Sequence, residues 1–157
     1  MRFFLLDRIT SWEAGKRATA VKNVALSEDF FDDHFPLKPI MPGVLILEGM
    51  AQLGGVLLED EVRRRTGRNL KALMSIIEKA KFRSPVKPGE TLEYTTEILS
   101  INEAGGKVAA RAQRDGAPVA ECVLVFSFFE YDNPLAEAHR AKTLSLWMKD
   151  LESNEAL

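Results

Sequence analysis

Hydrophobic and polar positions alternate in short runs over most of this chain, interrupted once by a long segment with helical spacing. Arg2 to Ile9 is rich in Phe, Leu and Ile, and Ala18 to Leu26 alternates, so the polar SWEAGK stretch between them, with Gly15, predicts a hairpin. Ser27-Glu28-Asp29-Phe30 then predicts a short helical turn capped by Ser27 and anchored by Phe30 and Phe31. From about Val44 to Arg65 the spacing is helical, with Gly67 suited to a left-handed stop and Arg63, Arg64 and Arg65 matched to the negative helix end. Val44, Leu47, Ala51 and Leu58 fall on one face and Ile46, Met50, Leu53 and Leu57 on the next, an apolar arc too wide for a surface helix. Gly49, Gly54 and Gly55 each cost a helix ~1 kcal/mol relative to alanine, which makes sense where a sheet must approach the helix backbone.

After Leu70 the pattern is that of strands. Lys71 to Ile77 and Lys79 to Arg83 are short extended runs, Pro85 and Pro88-Gly89 turn the chain, and Thr91 to Ile101 places Leu92, Tyr94, Thr96 and Ile98 on one face. Ala104-Gly105-Gly106 turns into Lys107 to Arg114, Asp115-Gly116 predicts a tight hairpin, and Val119 to Phe129 reads as a strand buried on both faces. One long helix with consecutive antiparallel strands gives an α+β class, the sheet curled around the helix. Periodicity alone does not separate the possible one-helix folds. Beyond Glu130, Asn133-Pro134 reads as a helix cap and first position, and Leu144, Trp147, Met148 and Leu151 form an amphipathic stripe. The expected organisation is a domain over residues 1–130 and a helical extension over 131–157, packed on the same domain or on a dimer.

Composition narrows the function classes. A chain of 157 residues, 46% hydrophobic and 28% charged, suits one globular domain with a real core. Its formal charge of −2, spread rather than blocked, gives no reason to expect nucleic acid. A single cysteine, Cys122, excludes an internal disulfide and, lying in an apolar strand, reads as core rather than nucleophile. Two histidines and that one cysteine are too few for a zinc site. The longest apolar run, Gly43 to Leu58, is shorter than a membrane span and carries Glu48 and Gln52, and the opening residues do not read as a secretory leader. The expected location is cytoplasmic, with no membrane contact.

The candidate chemistry lies in the segment DHFPLKPIMPGVLILEGMAQ, Asp33 to Gln52. His34 sits on a proline-stiffened loop and Glu48 fourteen residues later, a little over one turn inside the helix. A loop histidine and a helix carboxylate can face one cavity, within a chain or across a dimer, with the free N–H groups of the helix start between them. The apolar flanks of Glu48 predict a buried position. Gln52, one turn further on the same face, either orients that carboxyl or is an ordinary polar helix residue. His139 has no such company and reads as surface.

The HFP, the glycine nine residues past the histidine, the glutamate five beyond it, and Ala51-Gln52 resemble the 3-hydroxyacyl-[acyl carrier protein] dehydratases of the hotdog fold, the FabZ type. FFLLDRI, KAKFRSPVKPGE and VAECVLVFSFF extend the resemblance over residues 3 to 129. The family commonly has glycine at the positions of Asp33 and Leu37, so the backbone around the histidine and the tunnel mouth are where this chain departs. The resemblance implies a hotdog fold and elimination of water from a (3R)-hydroxyacyl thioester to the trans-2-enoyl thioester, without a cofactor. His34 would take the C2 proton, Glu48 would protonate the leaving hydroxyl, and the N–H groups of Gly43 and Val44 would hold the thioester oxygen.

It also implies a homodimer whose sites combine the histidine of one subunit with the carboxylate of the other, with trimers of dimers left open. Phe35, Ile40, Met41, Leu45 and Leu47 are the candidate acyl-tunnel lining, and each could equally be plain core. Acyl carrier protein is acidic, and strand alternation puts Lys79, Lys81 and Arg83 on one face, either its docking row or a solvated strand face. A hotdog thioesterase would not need this histidine and glutamate. The FabA type, which also isomerises, has aspartate at the Glu48 position. A non-catalytic acyl-binding protein is the third alternative.

Overall fold

A computed structural model describes residues 3–151; Arg2 at the start of the first expected strand, and the last six residues of the expected extension, lie outside them. The elements run β1 (Arg8–Glu13), β2 (Arg17–Asn23), a 3-10 turn (Asp29–Phe31), α1 (Gly43–Thr66), β3 (Leu70–Phe82), β4 (Thr91–Ile101), β5 (Gly105–Arg114), β6 (Ala117–Glu130) and α2 (Pro134–Trp147). The six strands form one antiparallel sheet in the order β1-β2-β4-β5-β6-β3. The sheet wraps α1, whose Ile46, Met50, Leu53, Leu57 and Leu58 are buried among Leu92, Tyr94, Val108, Leu124 and Phe126. This is the hotdog architecture. No helix among the described residues is long and apolar enough to cross a membrane.

The glycines of α1 lie where the sheet comes closest. A Cβ on Gly49 would sit 2.6 Å from the Tyr94 hydroxyl oxygen, and one on Gly54 would sit 2.9 Å from a Val108 methyl. At Gly55 the nearest atom would be Phe126 at 3.5 Å, an ordinary contact. The same substitution in one helix should therefore have opposite signs. Gly49→Ala is expected to lower the urea midpoint, overpacking costing roughly 1–3 kcal/mol against a helix gain of about 1 kcal/mol. Gly55→Ala is expected to raise it. Equal shifts would remove sheet approach as the reason for these glycines. Gly67 stops the helix in the left-handed conformation, φ 71°, its N–H bonding to the Arg63 carbonyl at 2.8 Å. Arg63 and Arg64 close on the buried Asp60 carboxylate at 3.0 and 2.7 Å.

Several expected boundaries move. β1 begins at Arg8, and Trp12, read from sequence as part of a polar turn, is a buried strand residue. A register shift between Ile9 and Ser11 turns both Ile9 and Trp12 inward. Ser27 caps nothing. The turn starts from Glu28, whose carboxylate goes to the buried Lys22. The two expected runs merge into the single strand β3, which ends at Phe82, with irregularities at Met74/Ile76 and Glu78/Lys81, and Lys79 has φ 55°. β6 is buried on one face only: Ala120, Cys122, Leu124 and Phe126 face the core, while Glu121, Val123 and Val125 are half-exposed. Burial pushes the Cys122 thiol up to about 11, as befits a packed residue.

After β6, Asn133 caps α2, its side-chain oxygen accepting the N–H groups of Leu135 and Ala136 at 3.1 Å. Leu144, Trp147 and Leu151 pack against the core and Met148 is buried in it. Lys71–Glu137, Arg140–Glu59 and Arg8–Asp150 pairs hold the segment down.

Candidate active site

His34 is held by a closed loop. Its N–H bonds to the Phe30 carbonyl at 3.0 Å, its carbonyl accepts from Ile40 N–H at 2.9 Å, and Phe35 and Lys38 exchange backbone bonds between them. Buried Phe31, packed on Phe30 with ring centroids 4.5 Å apart, anchors the approach. The His34–Phe35 peptide bond is cis, and the two rings stack at 4.3 Å. His34 Nδ1 lies 2.6 Å from the Ile40 carbonyl oxygen. A carbonyl only accepts, so Nδ1–H donates, and in the neutral ring Nε2 carries the free lone pair. Leu37 at the loop tip is fully exposed and Asp33 is exposed.

The histidine lines a cleft of about 410 Å³ with Ile40, Met41, Gly43, Val44, Phe82 and Arg83. Pro42 precedes the first turn of α1, which leaves the N–H groups of Gly43 and Val44 without intrahelical acceptors. A Cβ on Gly43 would meet the Phe82 ring at 2.6 Å, so a larger residue there would displace that ring.

Glu48 lines a different cleft, of about 350 Å³, on another face of α1. It is half-buried in the single protomer, less covered than its apolar flanks predict. Gln52 stands beside it, donating from Nε2 to Glu48 Oε1 at 3.2 Å and to the Phe3 carbonyl at 3.0 Å, while its Oε1 accepts the Leu5 N–H at 3.1 Å. The amide is oriented by the N-terminal segment and so orients the carboxyl. Further along this cleft Glu59 accepts the Ala72 N–H at 2.9 Å and pairs with Arg140. Burial pushes the Glu59 carboxyl up, opposed by Arg140 and that backbone bond.

One protomer therefore carries the histidine and the carboxylate in separate cavities. Of the expected lining residues, Ile40 and Met41 join His34; Phe35 is half-exposed outside both clefts; Leu45 and Leu47 line neither, and Leu47 is a core residue. The expected basic row is broken. The left-handed Lys79 interrupts the alternation, and Lys81 and Arg83 share Glu121 at 3.6 and 2.6 Å. His139 is exposed and stacks on Phe4. Sequence reading missed Phe82 over Gly43, and Glu59, Arg140 and Trp147 in the Glu48 cleft. The tail's amphipathic stripe was the only signal for Trp147, and nothing in the local pattern signalled the Glu59–Arg140 pair. No cluster of three or more metal-ligating side chains occurs among the described residues.

Comparison with known proteins gives a consistent set of relatives. Residues 1–123 match the family model described as a FabA-like domain. The chain is 45% identical over 127 residues to the 3-hydroxyacyl-[acyl-carrier-protein] dehydratase FabZ of Caldicellulosiruptor bescii, covering 80% of this chain and 87% of that one. It is 43% identical over 130 residues to the enzyme of the same name from Bacillus licheniformis, covering 82% and 87%. Among solved structures, the dehydratase heterocomplex ApeI:P of Xenorhabdus doucetiae superposes with a TM-score of 0.66 at 14% identity, over 88% of this chain and 90% of that one. A hot-dog-like protein of Thermanaerovibrio acidaminovorans gives 0.61 at 18%, over 84% and 93%. At such identities the structural matches speak for the fold alone.

Proposed function

This chain belongs to the FabA-like family, and from that membership we propose that it dehydrates (3R)-3-hydroxyacyl groups carried on acyl carrier protein to trans-2-enoyl groups, in fatty-acid or related acyl-chain synthesis. The observation that carries the reading is the pairing of a histidine with its Nδ1 tied down and a helix carboxylate oriented by an amide, each in its own apolar-walled cleft.

His34 Nε2 takes the C2 proton, the C–H electrons become the C2=C3 bond, and the C3 hydroxyl departs with a proton from Glu48 as water. Proton transfer from the imidazolium back to the carboxylate then resets the pair. The negative charge that grows on the thioester oxygen is met by Gly43 and Val44 N–H at the positive end of α1, without side-chain reorganisation. Gln52 keeps the Glu48 carboxyl turned into its cleft.

Two half-sites on one protomer make sense if a homodimer sets the His34 cleft of one subunit against the Glu48 cleft of the other. The outer edge of β3 supports this assembly. It ends the sheet, and Leu73, Ile76, Ile77 and Phe82 are exposed along it, beside an exposed Val44. Exposed apolar side chains along an unpaired sheet edge call for a partner surface. Leu73 lines one cleft and Phe82 and Val44 the other, so covering the face would bring both cavities to the interface. Carrier-protein docking belongs on the rim of the His34 cleft, which Arg83 lines just past the end of β3, with Lys81 sharing its Glu121 partner.

The test is enoyl formation from a (3R)-3-hydroxyacyl carrier-protein substrate, followed by ultraviolet absorbance. Turnover by the purified protein, with no added metal or cofactor, is the expected outcome. Release of free thiol without enoyl product would replace dehydration with thioester hydrolysis.

A further inference from the structure

Helix α2 lies beyond the residues that the family model matches, yet it walls the cleft of the proposed acid. Glu48, Gln52, Gly55, Val56 and Glu59 recur at helical spacing, so the cleft runs along one stripe of α1. At about 1.5 Å per residue, Glu48 and Glu59 are ~16 Å apart along the axis. Helix α2 reaches this stripe through two side chains, Arg140 and Trp147. Arg140 pairs with Glu59 at the far end, and seven residues later Trp147 packs edge-on against Phe4, next to the Phe3 carbonyl that Gln52 bonds. From Gln52 to Glu59 is also seven residues, so the two helices keep step.

We infer that α2 is an acyl-length gauge: Trp147 roofs the Glu48 cleft and the Arg140–Glu59 pair closes its far end, restricting the enzyme to short- and medium-chain 3-hydroxyacyl thioesters. This rests on the dehydratase reading, with C3 of the substrate at Glu48. Between the acid and the ion pair the lining is mostly apolar, with Ala51, Gly55, Val56, Met74, Phe126 and Trp147, and suits an alkyl tail. The far end is an ion pair. A methyl terminus driven against it would strip water from two charges and return no hydrogen bond. Allowing about 4 Å of contact distance at each end of the ~16 Å leaves roughly 8 Å. At about 1.3 Å of advance per carbon along a zigzag of ~1.5 Å bonds, that holds about six carbons beyond C3. Helix α2 is tied to the domain near both of its ends. The Lys71–Glu137 pair holds its first turns and buried Met148 holds the residue that ends it.

The experiment measures kcat/KM for 3-hydroxybutyryl, 3-hydroxyoctanoyl and 3-hydroxyhexadecanoyl thioesters on one carrier protein. Wild type should rise from four to eight carbons, since each buried methylene is worth about fourfold, and drop at least tenfold at sixteen. The doubly substituted Glu59→Ala/Arg140→Ala protein removes the closing pair without leaving a lone buried charge. Its sixteen-to-eight ratio should rise at least tenfold. Trp147→Ala, which opens the roof, should raise the same ratio independently. The ratio is read within each protein, so general loss of stability scales both substrates and leaves it unmoved. Equal turnover of eight and sixteen carbons by wild type, or an unmoved ratio in both altered proteins, would overturn the gauge while leaving the dehydratase reading intact. Absence of enoyl product at every length would overturn that reading and this inference together.

Discussion

A one-to-one mixture of His34→Ala and Glu48→Gln protomers, each inactive by itself, is expected to recover about a quarter of wild-type dehydratase activity after co-refolding. Removing a positioned acid or base costs on the order of 10²–10⁴ in rate, so each altered protein alone should fall to near background. In a mixed dimer one half-site pairing combines the two lesions and is dead, while the other combines an intact histidine with an intact glutamate. Random exchange makes about half the dimers mixed, each with one of two sites working. The expectation follows from the separation of His34 and Glu48 into different cavities of one protomer. If the mixture stays at the level of the single substitutions, the two residues act within one chain and the two-cleft assembly is wrong.

Gly105→Ala is expected to cost roughly 2–4 kcal/mol of folding stability, seen as a lower urea midpoint with an unchanged slope. Gly105 begins β5 and pairs with Ser127 of β6. A Cβ there would lie 2.1 Å from the Phe126 carbonyl oxygen and 3.3 Å from Ser127 Cα. These are backbone atoms, so no rotamer change relieves the clash. Either β5 and β6 separate at their paired ends or Gly105 leaves the Asn102 side chain, which accepts the N–H groups of Ala104 and Gly105. Gly106 makes a useful contrast. Its added Cβ would meet the buried Leu58 side chain, which can repack where a backbone cannot, so Gly106→Ala should be the milder change. A loss smaller for Gly105→Ala than for Gly106→Ala would mean the β5–β6 start has slack that its geometry does not suggest.

Local chemistry explains which features were legible beforehand. Gly67, Asp115-Gly116 and Asn133-Pro134 each act through their own backbone or side chain, and each does in the structure what its residue types require. β4 matches because its alternation meets a single core face. Where reading failed, the deciding partner was distant in sequence. Ser27 loses the cap position to Glu28, whose carboxylate pairs with Lys22, and the alternation of the basic row is lost because Lys79 turns left-handed while Lys81 and Arg83 share Glu121 on the neighbouring strand.

The sequence by itself determined the helix and its stops, the α+β class, and, through the spacing of His34, Gly43 and Glu48, the family and its chemistry. These rest on periodicity, on turn conformations and on a motif, all properties of neighbouring residues. Only the tertiary structure decided that the histidine and the acid occupy different clefts, that Phe82 lies over Gly43, and that α2 lies along the Glu48 groove. The reason is physical. Which face of α1 meets which strand, and where a tail helix comes to rest, depend on burying apolar surface between segments far apart in the chain, and no local pattern carries that information.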